Sequence, residues 1–425
     1  MRSMLASIAL RNILRHGKRS FITALVLTVG IGMFIFADSI LAGMDRMTID
    51  SMMKYGEAAL TLMKPEYREK ERSMPVDPGM GITDPRALIE SASSIAPDVL
   101  GAAPRTPFPS FASNRLDSIP VVAVAVDPEA DPSVFGIASS VVKGSWLGDS
   151  AKVQAPTAVL GSGLAEDLGV GVGDWFILSA RTTQDTLNAL EFLVSGIIRV
   201  PAQQVSESGV YIPYASARRL LGEDLPVTSV ALAFPPAPNL DAEFSRSTNA
   251  AKKAAELHPG IAAVSLQERA ADYMAMRKMK AKYSSLIILV VLLIAGVGIV
   301  NTILMSVYSR VKEIGVLKAY GMRTSSIRRL FSLEGLFLGL AGSLGGLVFG
   351  ALCIWASIAW GIRFDKLLGG LDMGSIPLGG VLRGEWNPRV MIQGLAFGTL
   401  ASWLSAAIPA ARAGRLEATE ALRFS

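Results

Sequence analysis

Val311-Lys312-Glu313-Ile314-Gly315-Val316-Leu317-Lys318-Ala319-Tyr320-Gly321-Met322 is the stretch on which the fold of this chain turns. Its apolar residues recur at helical spacing between charged ones, which predicts a short amphipathic helix. Gly321 marks a turn after it. Ser325-Ser326-Ile327-Arg328-Arg329-Leu330-Phe331 then opens a second helix that feeds directly into a long apolar segment, and another apolar segment ends just before Val311. A short rigid element clamped between two such segments is suited to receiving force from a partner. An interfacial helix with snorkelling basic side chains is the plainer account of the same residues.

Outward from this link, four apolar stretches are long enough for a bilayer core, which needs about 20 residues: 21–42, 286–309, 331–360 and 391–411. Composition agrees. Of 425 residues 51% are hydrophobic and 18% charged, with mean hydropathy +0.41, whereas an ordinary globular domain carries about 25% charged residues. The predicted fold is a membrane protein with four transmembrane helices, one and then three. Residues 43–285 hold most of the Pro and Asp and read as a large extracytoplasmic α/β (α+β) domain on a helical stalk.

Basic flanks set the orientation. Arg2, Arg11, Arg15, Lys18 and Arg19 precede the first span; Arg310, Lys312, Lys318, Arg323, Arg328 and Arg329 lie in the link 310–330; Arg412, Arg415 and Arg423 lie in the tail 412–425. With four spans all three fall on the cytoplasmic side, both termini included, and the loop 361–390 lies outside. Arg277, Lys278, Lys280 and Lys282 oppose the rule, but they end a long translocated domain, where it has little force. Ala37-Asp38-Ser39 is a poor cleavage site, so the first span is read as retained rather than as a signal peptide. Within 1–20, Leu5, Ile8, Ala9 and Ile13 share one helical face, as in a helix lying flat at the inner surface; a plain extension of the first span fits equally.

In the outer domain, Asp84-Pro85 is a helix start. Strands are expected at 119–126, 157–160, 174–180, 191–200 and 209–213, with helices after Gly161 and at 215–221. A βαβ-like unit, 229–234, 241–257 and 261–266, closes a domain of two small lobes. The stalk helices carry Met44, Met47, Met52, Met53 on one side and Met274, Met276, Met279 on the other.

Motifs for chemistry are missing from this sequence. No G-x-x-x-x-G-K-[ST] loop occurs. Gly169-Val170-Gly171-Val172-Gly173 has the wrong spacing for a dinucleotide loop and precedes a strand, so it reads as a turn. One cysteine, Cys353, excludes an intrachain disulfide framework, and His16 and His258 leave little for a metal site. Lys+Arg 41 against Asp+Glu 36 gives +5 spread along the chain, no nucleic-acid footprint. Asp38 and Glu334 sit near span ends, as interface residues do, which weighs against ion-coupled transport. Small residues at four-residue spacing, Gly335, Gly339, Gly342, Gly346, Gly350 and Gly394, Gly398, Ser402, Ala406, Ala410, predict close helix packing, within one chain or across a dimer.

Glu313-Ile314-Gly315-Val316-Leu317-Lys318-Ala319-x-Gly321 resembles the coupling segment of the FtsX/MacB/LolC-LolE family of ABC-transporter permeases. Leu10-Arg11-Asn12-Ile13-Leu14-Arg15, the run from Val159-Leu160-Gly161 to Gly173-Asp174, Pro409-Ala410-Ala411-Arg412-Ala413-Gly414-Arg415-Leu416 and Glu420-Ala421-Leu422-Arg423 are similar to it as well. Tyr320-Gly321-Met322 and Ala418 depart from the family's usual residues. The resemblance, lipoprotein-releasing type most similar, implies a permease subunit of the inner membrane that is not itself an enzyme. ATP and Mg would be bound by a separate cytoplasmic ATPase meeting Glu313, Gly315, Lys318 and Gly321. A second permease chain, as homo- or heterodimer, a lipoprotein or other amphiphilic substrate and a periplasmic chaperone or adaptor complete the expected partners. The methionines are then candidates for lining a substrate cavity, and ordinary stalk packing accounts for them equally. Export of a peptide, drug or lipid, or FtsX-like mechanical signalling to a cell-wall hydrolase, are the alternative activities.

Overall fold

The structure, a computed structural model, describes residues 2–15, 17–147, 155–363 and 381–415. His16, the loop positions 364–380 and the tail 416–425, with Leu416, Ala418 and Glu420-Ala421-Leu422-Arg423, lie outside the described residues, as do the side chains of Lys280 and Lys282. The chain forms two compact units: a helical one from Met1–Asp45, Met276–Arg363 and Val381–Ser425, and a sheet unit built on Arg46–Ala275.

Four long helices run over Gly17–Met52, Ala271–Tyr308, Thr324–Trp360 and Pro388–Arg415. Among the described residues, three helical stretches are long and apolar enough to cross a membrane: Ser20–Glu57, Thr324–Trp360 and Pro388–Arg415. In the second long helix the apolar stretch so described, Gly296–Tyr308, is shorter.

Glycine fixes how the helical unit packs. Gly335 and Gly339 of the third long helix face Ala406 and Ser402 of the fourth so closely that an added Cβ would collide with them. Further along, a Cβ on Gly342 would lie 2.6 Å from Leu27 Cβ, one on Gly346 2.8 Å from Ile31 Cβ and one on Gly350 3.0 Å from Ile35 Cβ, all on the first helix. Gly394 and Gly398 of the fourth helix also meet Ile31. One glycine row thus serves two neighbours in turn, inside a single chain. Thr23 and Thr302 hydroxyls meet at 2.7 Å, and Arg277, one of the residues opposing the charge rule, pairs with Asp45 at 2.7 Å. The amino-terminal helix Arg2–Arg15 places Ile8 and Ala9 against Leu330, Leu333 and Phe337 of the third long helix.

The sheet unit holds β1 (Leu60–Met63), β2 (Gly101–Ser113), β3 (Ser118–Val126), β4 (Val141–Gly144), β5 (Thr157–Gly161), β6 (Trp175–Arg181), β7 (Leu187–Ile198), β8 (Gly209–Pro213), β9 (Ser229–Ala233) and β10 (Ala262–Ser265). Their order is β10-β1-β9-β2-β3-β8-β5-β7-β4, with β6 paired to β2 and β7. The expected βαβ unit exists but is split. β9 and β10 run parallel with β1 between them, antiparallel to both, and the helix Leu240–Leu257 makes the crossover. The expected lobes share this one sheet because β2 is long enough to pair with β9 by Gly101–Arg105 and with β6 by Ser110–Ser113. Two apolar cores flank the junction, one around Phe108, Phe176 and Phe192, the other around Leu60, Leu232 and Ala254. Asp84 caps its helix, accepting from Ala87 N at 3.1 Å. Gly169 ends the helix Ser162–Leu168 in left-handed backbone, φ +63°, confirming the glycine run as a turn.

Candidate functional site

Only Ser309 and Arg310 separate the second long helix from the short helix Val311–Ala319. The short helix stops by backbone hydrogen bonding: Met322 N donates to Leu317 O at 3.0 Å and Gly321 N to Lys318 O at 2.9 Å. That double closure needs a left-handed residue, and Gly321 supplies it with φ +83°. Arg323, in extended backbone, precedes the third long helix.

Helical periodicity then sorts the side chains. Val311, Ile314 and Gly315 point inward and are buried. Ile314 belongs to an apolar core with Leu27, Ile303, Phe331 and Ala410, one residue from each of the four long helices. Lys318 is half-buried, and its Nζ donates to the Gly414 carbonyl at 2.9 Å, a cation on the carboxyl-terminal end of the fourth helix. Lys312, Glu313, Val316, Tyr320 and Gly321 are exposed, Tyr320 at 87%. Of the four residues expected to meet a partner, Glu313 and Gly321 lie on the outer face. Gly315 and Lys318 hold the element against the helical unit.

Beneath the exposed face lies a polar cluster. Glu313 Oε2 accepts from Arg310 Nε at 2.8 Å, and Arg310 Nη1 also donates to Glu334 Oε1 at 3.1 Å. Glu334 is buried and accepts from Asn12 Nδ2 at 2.7 Å. Read as an interface residue from sequence, Glu334 is the centre of this cluster. Nothing local to its segment signalled that, since its partners come from distant positions.

The methionines divide. Met52, Met53 and Met274 pack with Ile49, Phe244 and Leu266 in the sheet unit. Met47 is half-buried there, Met44 is half-buried in the helical unit, and Met276 and Met279 are exposed at 51% and 56%. The sheet unit has a buried ion pair of its own. Arg105 Nε and Nη2 donate to Asp131 Oδ1 and Oδ2 at 2.7 and 3.0 Å, with the guanidinium 3.2 Å above the Phe135 ring centre. Burial beside this pair pushes the Tyr211 phenol up to about 12, and the Tyr214 phenol upward too.

Residues 20–249 match the family profile described as the MacB-like periplasmic core domain, and residues 285–418 match the FtsX-like permease C-terminal profile. The lipoprotein-releasing system transmembrane protein LolC of Xylella fastidiosa is 23% identical over 427 residues, covering 96% of this chain and 95% of that protein. An ABC transporter permease of Methanocaldococcus jannaschii is 26% identical over 215 residues, 50% of this chain and 51% of its own length. The macrolide export ATP-binding/permease protein MacB of Shigella boydii is 31% identical over 140 residues, 33% of this chain and 19% of that protein. The two profiles follow one another in the same order as the segments expected from sequence, the first beginning at the first apolar helix and the second taking in the other two; the chain belongs to the FtsX-like, MacB-like family of ABC-transporter permeases.

Proposed function

We propose that this permease subunit converts ATP-driven motion of a separate cytoplasmic ATPase into extraction of lipoproteins from the outer leaflet of the inner membrane. One observation carries the reading: the similarity to LolC runs along 96% of this chain and 95% of that protein. In this reading four spans, 21–42, 286–309, 331–360 and 391–411, leave both termini cytoplasmic and the sheet unit outside on a helical stalk. Two permease chains, alike or different, each engage an ATPase that binds ATP and Mg. The ATPase meets Glu313, Val316, Tyr320 and Gly321, while Gly315 and Lys318 keep the element seated. Among the methionines, Met44, Met47, Met276 and Met279 suit acyl chains, because a thioether side chain adapts to varied apolar partners. A periplasmic chaperone takes the released lipoprotein.

A second reading is export of a peptide, drug or lipid with a periplasmic adaptor. The local 31% identity to MacB favours it. FtsX-like signalling to a cell-wall hydrolase would need the same ATPase contact.

The test is to tag the chain, isolate it gently from its native membranes and identify its companions by mass spectrometry. An ATPase together with acylated lipoproteins is the expected result, and Glu313→Lys should lose the ATPase while the chain still inserts. An ATPase with an adaptor or a hydrolase moves the function to the second or third activity. Repeated isolation without an ATPase overturns the reading.

A further inference from the structure

Glu334 belongs to the third long helix, and its side chain is only 5% exposed. Groups from separate stretches of chain converge on it. Asn12 from the amino-terminal helix and Arg310 from the connection both donate to Oε1, at 2.7 and 3.1 Å, and the Ser306 hydroxyl at the end of the second long helix reaches Oε2 at 3.4 Å. Arg310, itself 11% exposed, turns its Nε the other way to Glu313. Arg15 approaches the second oxygen of that same Glu313 at 3.7 Å. Beside Glu334 lies a cavity of about 20 Å³ lined by Ser20, Thr302, Ser306 and Ser309. That is room for one water, with polar partners to hold it.

A guanidinium is a rigid fork of donors, so one arginine can hold two carboxylates in fixed directions; an ammonium is a point charge and cannot. Arg310 serves Glu334 and Glu313 together only while the short helix keeps its present pose. A displaced helix must release one of the two. Releasing Glu334 leaves a buried carboxylate without its cation, which is strongly unfavourable.

We propose that Glu334 and Arg310 are positioning residues for the coupling helix: Glu334 fixes Arg310, Arg310 aims Glu313 and the exposed edge at the partner ATPase, and Asn12 ties the amino-terminal helix to the same carboxylate. The proposal rests on the reading that Val311–Ala319 meets an ATPase. A push on the exposed edge then reaches the third long helix through an ion pair and the amino-terminal helix through Asn12. Glu313 is the one carboxylate of the set that a partner can touch, and Glu334 sets its direction without being touched.

Amide exchange and ATP hydrolysis test this separately. In the isolated full chain in detergent, Glu334→Gln should raise exchange across 311–321 by about tenfold or more, because a buried charged partner is lost and local opening becomes cheaper. In the complex isolated with its ATPase, the same variant should retain the ATPase and hydrolyse ATP about tenfold more slowly per complex. Arg310→Gln should match it, and Arg310→Lys, which keeps the charge without the fork, should recover part of both losses. Thr399→Val, which removes a hydrogen bond to Leu395 O within the fourth long helix, away from this cluster, should change neither. If Glu334→Gln inserts poorly, Arg310→Lys against the unaltered chain decides: protection and hydrolysis equal to wild type overturn the proposal. Unchanged exchange and unchanged hydrolysis in Glu334→Gln overturn it too. A wild-type chain that retains no ATPase sinks the underlying reading, whereas retained ATPase with unaffected variants sinks the positioning role alone.

Discussion

Each unit of this permease buries an arginine–carboxylate pair, and the two pairs are built for different work. In the sheet unit Arg105 spends both arms of its fork on Asp131, which has no exposure at all, and lies flat on Phe135. Every charge there is answered inside the sheet, so the pair acts as a rivet. In the helical unit Arg310 divides its fork between buried Glu334 and half-exposed Glu313. One side of that pair is open to a partner. The same ionic chemistry is static when closed and able to transmit when one acceptor reaches the surface.

The largest expected effect separates the two pairs directly. Arg105→Ala strands a buried carboxylate and should cost the sheet unit about 3–5 kcal/mol, read as lost protease resistance of that unit in the full chain. Glu334→Gln leaves Arg310 paired with Glu313 and strands no carboxylate, so it should spare the helical unit's protease resistance and reduce hydrolysis instead. If both variants simply unfold their own units, the distinction between rivet and transmitter fails.

A smaller effect sharpens the rivet's surroundings. Tyr211 is buried and its phenol titrates near 12, against an ordinary value of about 10. The folded state favours the neutral phenol, so this stabilisation is complete below pH 10 and is lost as pH rises towards 12. It amounts to about 2–3 kcal/mol. Tyr211→Phe should flatten the alkaline unfolding of the sheet unit between these values; Tyr214 acts in the same direction and should leave a remainder.

The smallest concerns packing in the helical unit. Gly339→Val must displace Ser402 of the fourth helix, an overpacking cost of about 1–3 kcal/mol. Gly298→Ala faces open space and should be neutral. Thermal stability of the purified chain distinguishes them, and equal stability would show that the glycine row is not what brings the helices together.

Where local chemistry decides structure, the sequence was easy to read. The run 209–213 is bounded by Gly209 and Pro213 and matches β8 to the residue. Asp84, Gly169 and Gly321 announce their cap and turns through side-chain acceptors or left-handed backbone. β2 went unread because Pro104, Pro107 and Pro109 argue against a strand. Pro107 and Pro109 fall between Arg105, where β9 leaves, and Ser110, where β6 joins, so this part of β2 pairs on one edge only. Proline is tolerated on such an edge. The split of the βαβ unit was hidden for another reason: its inserted strand comes from some 170 residues earlier, and no local pattern records a pairing at that range. The partners of Glu334 were hidden likewise, since Arg310 and Asn12 lie far from it along the chain.

The placement of β1 has a consequence for how such a permease can vary. Leu60 pairs with Ser265 in β10, and Leu266 N donates to Ala59 O at 3.2 Å, so the chain enters and leaves the sheet at one spot. Everything between is an insertion whose ends already touch. Closing a loop of two hundred residues costs the host only about 2 kcal/mol more than one of twenty, since the entropy grows with the logarithm of length. The sheet unit is therefore a cartridge: it can be enlarged, trimmed or exchanged for another domain while the helices before and after it in the chain keep one design.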